Sequence, residues 1–165
     1  MKTRQYDRAK AVDYAHRWAF GRNPRYYDFS GIGGDCTNFA SQVIYAGAGV
    51  MNPTRTFGWY YYRSNNYAPA WTGVEFLYRF LTGNHGVGPV AAEADLFQAR
   101  PGDIVQLSFD GQTFRHSPVI VSVGERPAPE NILVAAHTFD ADNRPLASYT
   151  YARFRLLHVT RVNVP

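Results

Sequence analysis

The sequence holds one cysteine, in the run Gly33-Gly34-Asp35-Cys36-Thr37-Asn38-Phe39-Ala40-Ser41-Gln42. A helix is expected to begin at Asp35 or Cys36. A cysteine in a helix's first turn sits at the positive end of the helix dipole, which favours thiolate over thiol. The unpaired N–H groups of that turn can also hold a developing oxyanion, and the preceding glycines leave room for a substrate backbone. Such a residue is either a reactive thiol or a small buried hydrophobe. One cysteine excludes an internal disulfide and a multi-cysteine zinc site, and no metal or cofactor is expected.

A nucleophilic thiol needs a group that exchanges protons near neutral pH, and histidine is the natural choice. Of the five histidines, His16 falls on a first helix, His85 in the flexible run Gly83-Asn84-His85-Gly86, and His158 within a late strand. His116 instead opens the apolar strand His116-Ser117-Pro118-Val119-Ile120-Val121, at the mouth of a rigid element that could hold a general base. His137 ends the next apolar run, Ile132-Leu133-Val134-Ala135-Ala136-His137. If the two strands are antiparallel neighbours, His137 could orient the His116 ring as the third member of a Cys-His-polar set; Asp140 or Asp142 could serve in its place.

The elements that must position these groups fall in a simple order. Ala11, Val12, Ala15, Trp18 and Ala19 recur at helical spacing over Asp7 to Phe20, and Gly21-Arg22-Asn23-Pro24 ends that helix. A loop over 25–34 leads to the second helix, whose apolar stripe is Phe39, Ala40, Val43 and Ile44, closed by Gly47 or Gly49. An aromatic segment, Phe57 to Trp71, is expected as a long irregular loop. A third helix follows, with Thr72 and Glu75 as a capping box, Trp71 and Phe76 as a hydrophobic staple, and Gly83 as its end. Strands are expected at Ile104 to Ser108, Ser117 to Val123, Ile132 to Ala136, Ser148 to Ala152 and Phe154 to Val164, with Asp110-Gly111 as a hairpin turn. Helices first and strands afterwards is an α+β arrangement, with N-terminal helices packed on an antiparallel sheet. No repeat or linker divides the chain, so residues 1–165 read as one domain.

Composition narrows the partners. The 45 % hydrophobic and 18 % charged residues are those of a globular domain, and no apolar run approaches a membrane span. The net charge of +4 is spread along the chain without a basic run or a nucleic-acid motif, so no nucleic-acid partner is expected. The first residues lack the apolar stretch of a signal peptide. Localisation stays open: extracellular or cell-wall for an excised domain, cytoplasmic otherwise.

Several segments together carry a resemblance: Tyr6-Asp7-Arg8, Asn23-Pro24, Asp35 to Gln42, Ala46-Gly47, Trp71-Thr72-Gly73-Val74, Gly102-Asp103-Ile104-Val105-Gln106, His116-Ser117 and Ala136-His137-Thr138. The chain resembles the bacterial family described as Putative amidase domain, itself similar to the papain-like NlpC-type and CHAP-type cysteine peptidases. The resemblance implies a papain-like fold and amide hydrolysis through an acyl-enzyme, with Cys36 as nucleophile, His116 as base and His137 as orienter. It also implies an oxyanion tyrosine upstream of the cysteine, for which Tyr26 is the nearest counterpart. Tyr26, Asp35, Trp59 and Trp71 are the candidates for oxyanion or substrate contacts, the aromatic segment forming a cleft wall for a peptide or peptidoglycan-like substrate. Two other readings use the same residues: a papain-like acyltransferase or deamidase, and a non-catalytic glycan- or peptide-binding module in which Cys36 is structural.

Overall fold

A computed structural model describes all residues, 1–165. Strand β1 (Lys2–Arg4) leads into helix α1 (Arg8–Trp18), whose start is capped by the Asp7 carboxylate accepting from the Lys10 amide at 3.0 Å. Helix α2 (Cys36–Ala48) follows and ends at Gly49. The hairpin β2 (Tyr61–Arg63) and β3 (Asn66–Tyr67) precedes the short helix α3 (Pro69–Thr72) and helix α4 (Val74–Gly83). The remainder is β4 (Gly88–Ala94), β5 (Ile104–Ser108), β6 (Phe114–His116), β7 (Val119–Val123), β8 (Ile132–Ala136), β9 (Ala141–Pro145) and β10 (Arg153–Val164).

Strand β1 and the seven strands from β4 to β10 form one eight-stranded sheet, in the order β1, β10, β5, β7, β8, β9, with β4 also on β10 and β6 also on β5. Every pairing is antiparallel. The architecture is thus α+β with an antiparallel sheet, as the order of sequence patterns predicts.

Three local expectations are corrected. The strand foreseen from Ser117 begins at Val119, because Pro118 has no N–H to give a ladder; His116 therefore closes β6 rather than opening the next strand. Residues 148–152 form no strand: a 3-10 turn, Leu146–Ser148, stands there, and β9 precedes it. Thr72 does not cap the third long helix. It belongs to α3, Gly73 occupies the cap position of α4, and the Glu75 carboxylate accepts from Arg155 at 2.8 Å. Trp71 is buried while Phe76 is exposed, so the two form no staple.

The main core lies where α1, α2 and α4 meet the sheet, around Phe39, Val43, Ile44, Trp59, Trp71, Leu77 and Leu81. Each such apolar side chain contributes about 1.5–3 kcal/mol by leaving water. α1 enters close against α2 at Gly47, where a Cβ would stand 2.5 Å from the Tyr6 ring and 2.7 Å from the Asp7 carbonyl oxygen. The sequence motif around Gly102-Asp103 is a fastening point rather than a site. The fully buried Asp103 carboxylate accepts from Arg8 at 2.8 Å, His158 at 2.8 Å, and the amides of Arg100 at 2.9 Å and Val159 at 3.0 Å. It joins α1 to β5 and β10, and it gives His158 a structural partner.

Removing one member of a buried charged set strands the others without compensation, at about 3–5 kcal/mol. Asp103→Ala should therefore lower the urea-unfolding free energy by about that amount. A loss below about 1 kcal/mol, the range of an exposed pair, would contradict the fastening role.

Candidate active site

Cys36 occupies the first residue of α2, as its neighbours imply, and its side chain is enclosed. The enclosure is polar. The sulfur lies 3.7 Å from the Thr37 hydroxyl and 3.9 Å from the Arg115 carbonyl oxygen, and the Ser117 amide also favours its ionised form. The thiol thus sits against the backbone on both sides of His116. Gly34, at φ +103°, lets the loop enter the helix where a side chain would crowd the Thr138 hydroxyl, 3.2 Å from a Cβ there.

Burial outweighs the helix start. It pushes the Cys36 thiol up, helped by the neighbouring Asp35 charge and opposed by the Thr37 hydroxyl and the backbone amides. His116 is moved the other way, down to about 4, first because burial disfavours the imidazolium and then because the Arg144 guanidinium is near. The resting pair is therefore thiol and neutral imidazole. The thiolate expected from the helix dipole alone is not the resting state. No hydrogen bond joins the two side chains; apo catalytic pairs are often this loose.

His137 is tied elsewhere. Its Nδ1 is 2.5 Å from the Asp35 carboxylate and its Nε2 is 2.8 Å from the Trp18 carbonyl oxygen. The ring lies flat on Phe39, 4.1 Å between centres. Both nitrogens face acceptors, so neither is left to orient His116. Asp140 and Asp142 are also taken, by Arg22 and His16.

Three of the four accessory candidates are fully buried. Asp35 is fully buried and accepts from the Phe29 amide at 2.8 Å and the Asn38 side chain at 2.9 Å, besides meeting His137. It builds the loop before Cys36 and is closed off from solvent. Trp59 and Trp71 are completely buried; their indole N–H groups donate to Ser41 and Asn38 on α2, each at 3.0 Å. They are core rather than a cleft wall. Tyr26 is half-buried, stacking on Trp71 and packing on Tyr61. Of the aromatic segment, Phe57 and Tyr62 are exposed, and the segment holds a hairpin and α3 instead of one irregular loop.

The groups that do surround His116 carry no sequence motif. Its ring lies 5.6 Å from Tyr149 and 6.5 Å from Phe109, centre to centre. Arg144 lies 3.6 Å over the Tyr149 ring, and the buried Tyr149 hydroxyl has no hydrogen-bond partner. These residues come from the β5–β6 turn, β9 and the turn after β9, which only the sheet brings together. No group of three or more His, Cys, Asp or Glu side chains is gathered as a metal site, and no helix is long and apolar enough to cross a membrane.

The lowered His116 value has a stability consequence. Unfolded, the ring takes a proton near pH 6.5; folded, it does so near pH 4. The contribution is thus complete above about pH 6.5 and is lost as pH falls towards about 4. At pH 4.5 the loss is about 2.5 kcal/mol. Urea unfolding at pH 7.5 and 4.5 should show that much less pH dependence in His116→Gln than in the parent protein, and an unchanged slope would show that the ring titrates normally.

Residues 5–159 match the family described as Putative amidase domain. A curated relative, the Bacillus subtilis (strain 168) protein named Uncharacterized protein YhbB, is 32% identical over 143 residues. That alignment takes in 85% of this chain but 44% of the relative, so the chain spans less than half of that protein's length. No solved structure matches significantly. A match across nearly the whole chain, with Cys36 and His116 both inside it, shows that this protein belongs to the Putative amidase domain family.

Proposed function

We propose that the protein is a papain-like cysteine amidase that cleaves amide bonds of bacterial cell-wall peptides through a Cys36 acyl-enzyme. The observation that carries this reading is the placement of the lone sulfur at the first turn of α2, against the backbone flanking a buried, unpaired histidine. Family membership supports amide hydrolysis as the reaction class.

The electrostatics favour one order of events. Because thiol and imidazole are both neutral at rest, His116 takes the Sγ proton as the sulfur attacks the carbonyl carbon, instead of drawing on a preformed ion pair. The N–H groups at the start of α2 stabilise the oxyanion. His116 then gives its proton to the departing amine, leaving a thioester. Water attacks the thioester while His116 accepts its proton, and the thiol is restored as the acid leaves. His137 and Asp35 act only by holding the loop and helix in place.

The test is incubation of the protein with purified bacterial peptidoglycan, reading new amino termini and fragment masses. Cys36→Ala should abolish release, and His116→Gln should reduce it by about 10²–10⁴-fold with the circular dichroism spectrum retained. Release by Cys36→Ala equal to the parent's, or none by the parent protein, would remove this reading. The acid limb of kcat/KM should lie near pH 4, where His116 takes up its proton. A limb near 6.5 would show a base in ordinary solvent.

A further inference from the structure

Three residues of the sequence motifs have no part in the steps above: Thr37, Ser117 and Gln106. The structure puts them in one line. Arg155 Nε donates to Gln106 Oε1 at 2.9 Å. Gln106 Nε2 donates to Ser117 Oγ at 3.2 Å and to the Val74 carbonyl oxygen at 3.0 Å. Ser117 Oγ is 3.1 Å from Thr37 Oγ1, and Thr37 Oγ1 is 3.7 Å from Cys36 Sγ. Thr37, Ser117 and Gln106 are all buried.

The direction of this line is set by chemistry. A guanidinium can only donate and a carbonyl can only accept, so Arg155 and Val74 together settle which end of the Gln106 amide faces which way. The amide then donates to Ser117. The acceptor available to the Ser117 proton is Thr37, which leaves the Thr37 proton for the sulfur. Arg155 itself is firmly held, with Glu75 on its other nitrogen at 2.8 Å and its guanidinium 3.7 Å over the Tyr78 ring.

We propose that Arg155, Gln106, Ser117 and Thr37 form a one-way donor chain ending on the Cys36 sulfur, which eases loss of the thiol proton without making the thiolate the resting state. A hydrogen bond to an ionised acceptor is about twice as strong as one to a neutral acceptor, and aligned donors polarise one another. The chain therefore strengthens as the sulfur loses its proton, partly offsetting the burial that opposes ionisation. The charged and titratable groups bearing on the sulfur are Asp35 beside it on the chain, His116 on β6 and Tyr149 from the turn after β9, with Arg155 at the far end. The four chain members are positioning residues. Their purpose rests on the reading of Cys36 as nucleophile, but their effect on the sulfur does not need a substrate.

Because Cys36 is the only cysteine, its ionisation is read by iodoacetamide alkylation followed by intact mass, across pH 5 to 10. Thr37→Val should move the midpoint of the rate profile upward by about one pH unit and slow alkylation at pH 7 about tenfold, while Thr37→Ser restores the parent's profile. Ser117→Ala should shift it the same way by less. Gln106→Glu should exceed Ser117→Ala, because a carboxylate draws the Ser117 proton back towards Arg155 and reverses the chain. Ser117→Ala removes one buried hydroxyl and serves even if the Gln106 variant fails to fold. A shift in Thr37→Val with none in Ser117→Ala leaves a single local contact and overturns the chain, as does no shift in any variant. Shifted midpoints without peptidoglycan cleavage would overturn the hydrolase reading alone, and cleavage with unshifted midpoints would overturn only the chain.

Discussion

Helix α2 is enclosed on nearly every side, yet its first two turns are polar: Cys36, Thr37, Asn38, Ser41 and Gln42 are all buried. Each donor and acceptor there must find a partner inside the protein, since an unmet one costs about 1–3 kcal/mol. That demand organises the molecule. Trp71 and Trp59 serve Asn38 and Ser41, Tyr14 meets Gln42 at 2.5 Å, Ser117 meets Thr37, and the Tyr27 carbonyl accepts from Asn38 at 2.9 Å. The partners come from α1, the loop before α2, the hairpin region and the sheet. The helix that carries Cys36 is thus pinned from four directions, the kind of support a reactive group needs to be held in place.

The same enclosure shapes the chemistry. A thiol at an open helix start would ionise readily, whereas here exclusion of water from the sulfur and the imidazole favours the neutral form of each. In the proposed mechanism the energetic difficulty would fall at the moment of attack, where a proton passes between two groups that are each reluctant to be charged. Asp35 illustrates the division of labour. A carboxylate next to a nucleophile suggests a catalytic role, but its oxygens are consumed by the Phe29 amide, Asn38 and His137. Its negative charge works mildly against a thiolate, so its benefit to the site is architectural.

Two aspartates in motifs, Asp35 and Asp103, follow one pattern. Each is fully buried and each binds a histidine, an N–H of the main chain and a further side chain. Asp103 fastens the far end of α1 to the sheet and Asp35 fastens the near end of α2 to β8 through His137. Such sites look functional in a sequence, because acid and histidine recur in motifs, and are structural in the fold.

Local patterns were enough to place the helix at Cys36, the strands Ile104–Ser108 and Ile132–Ala136, and the α+β class, because periodicity, glycine ends and β-branched runs act over a few residues. They were also enough to place Cys36 at a helix start and to single out His116 as a candidate beside it. The role of His137 was not legible, because the spacing of two strands says that their ends are near but not which nitrogen meets which oxygen. The burial of Trp59 and Trp71 goes with polar partners 18 and 33 positions earlier on α2. Tyr149, Arg144 and Phe109 reach His116 only through sheet register, and short edge strands such as β1 and β9 take their form from pairing rather than propensity. Sequence therefore determined which residues could carry the chemistry; tertiary structure decided their charge and their partners, since desolvation and hydrogen-bond direction exist only once distant segments close around them.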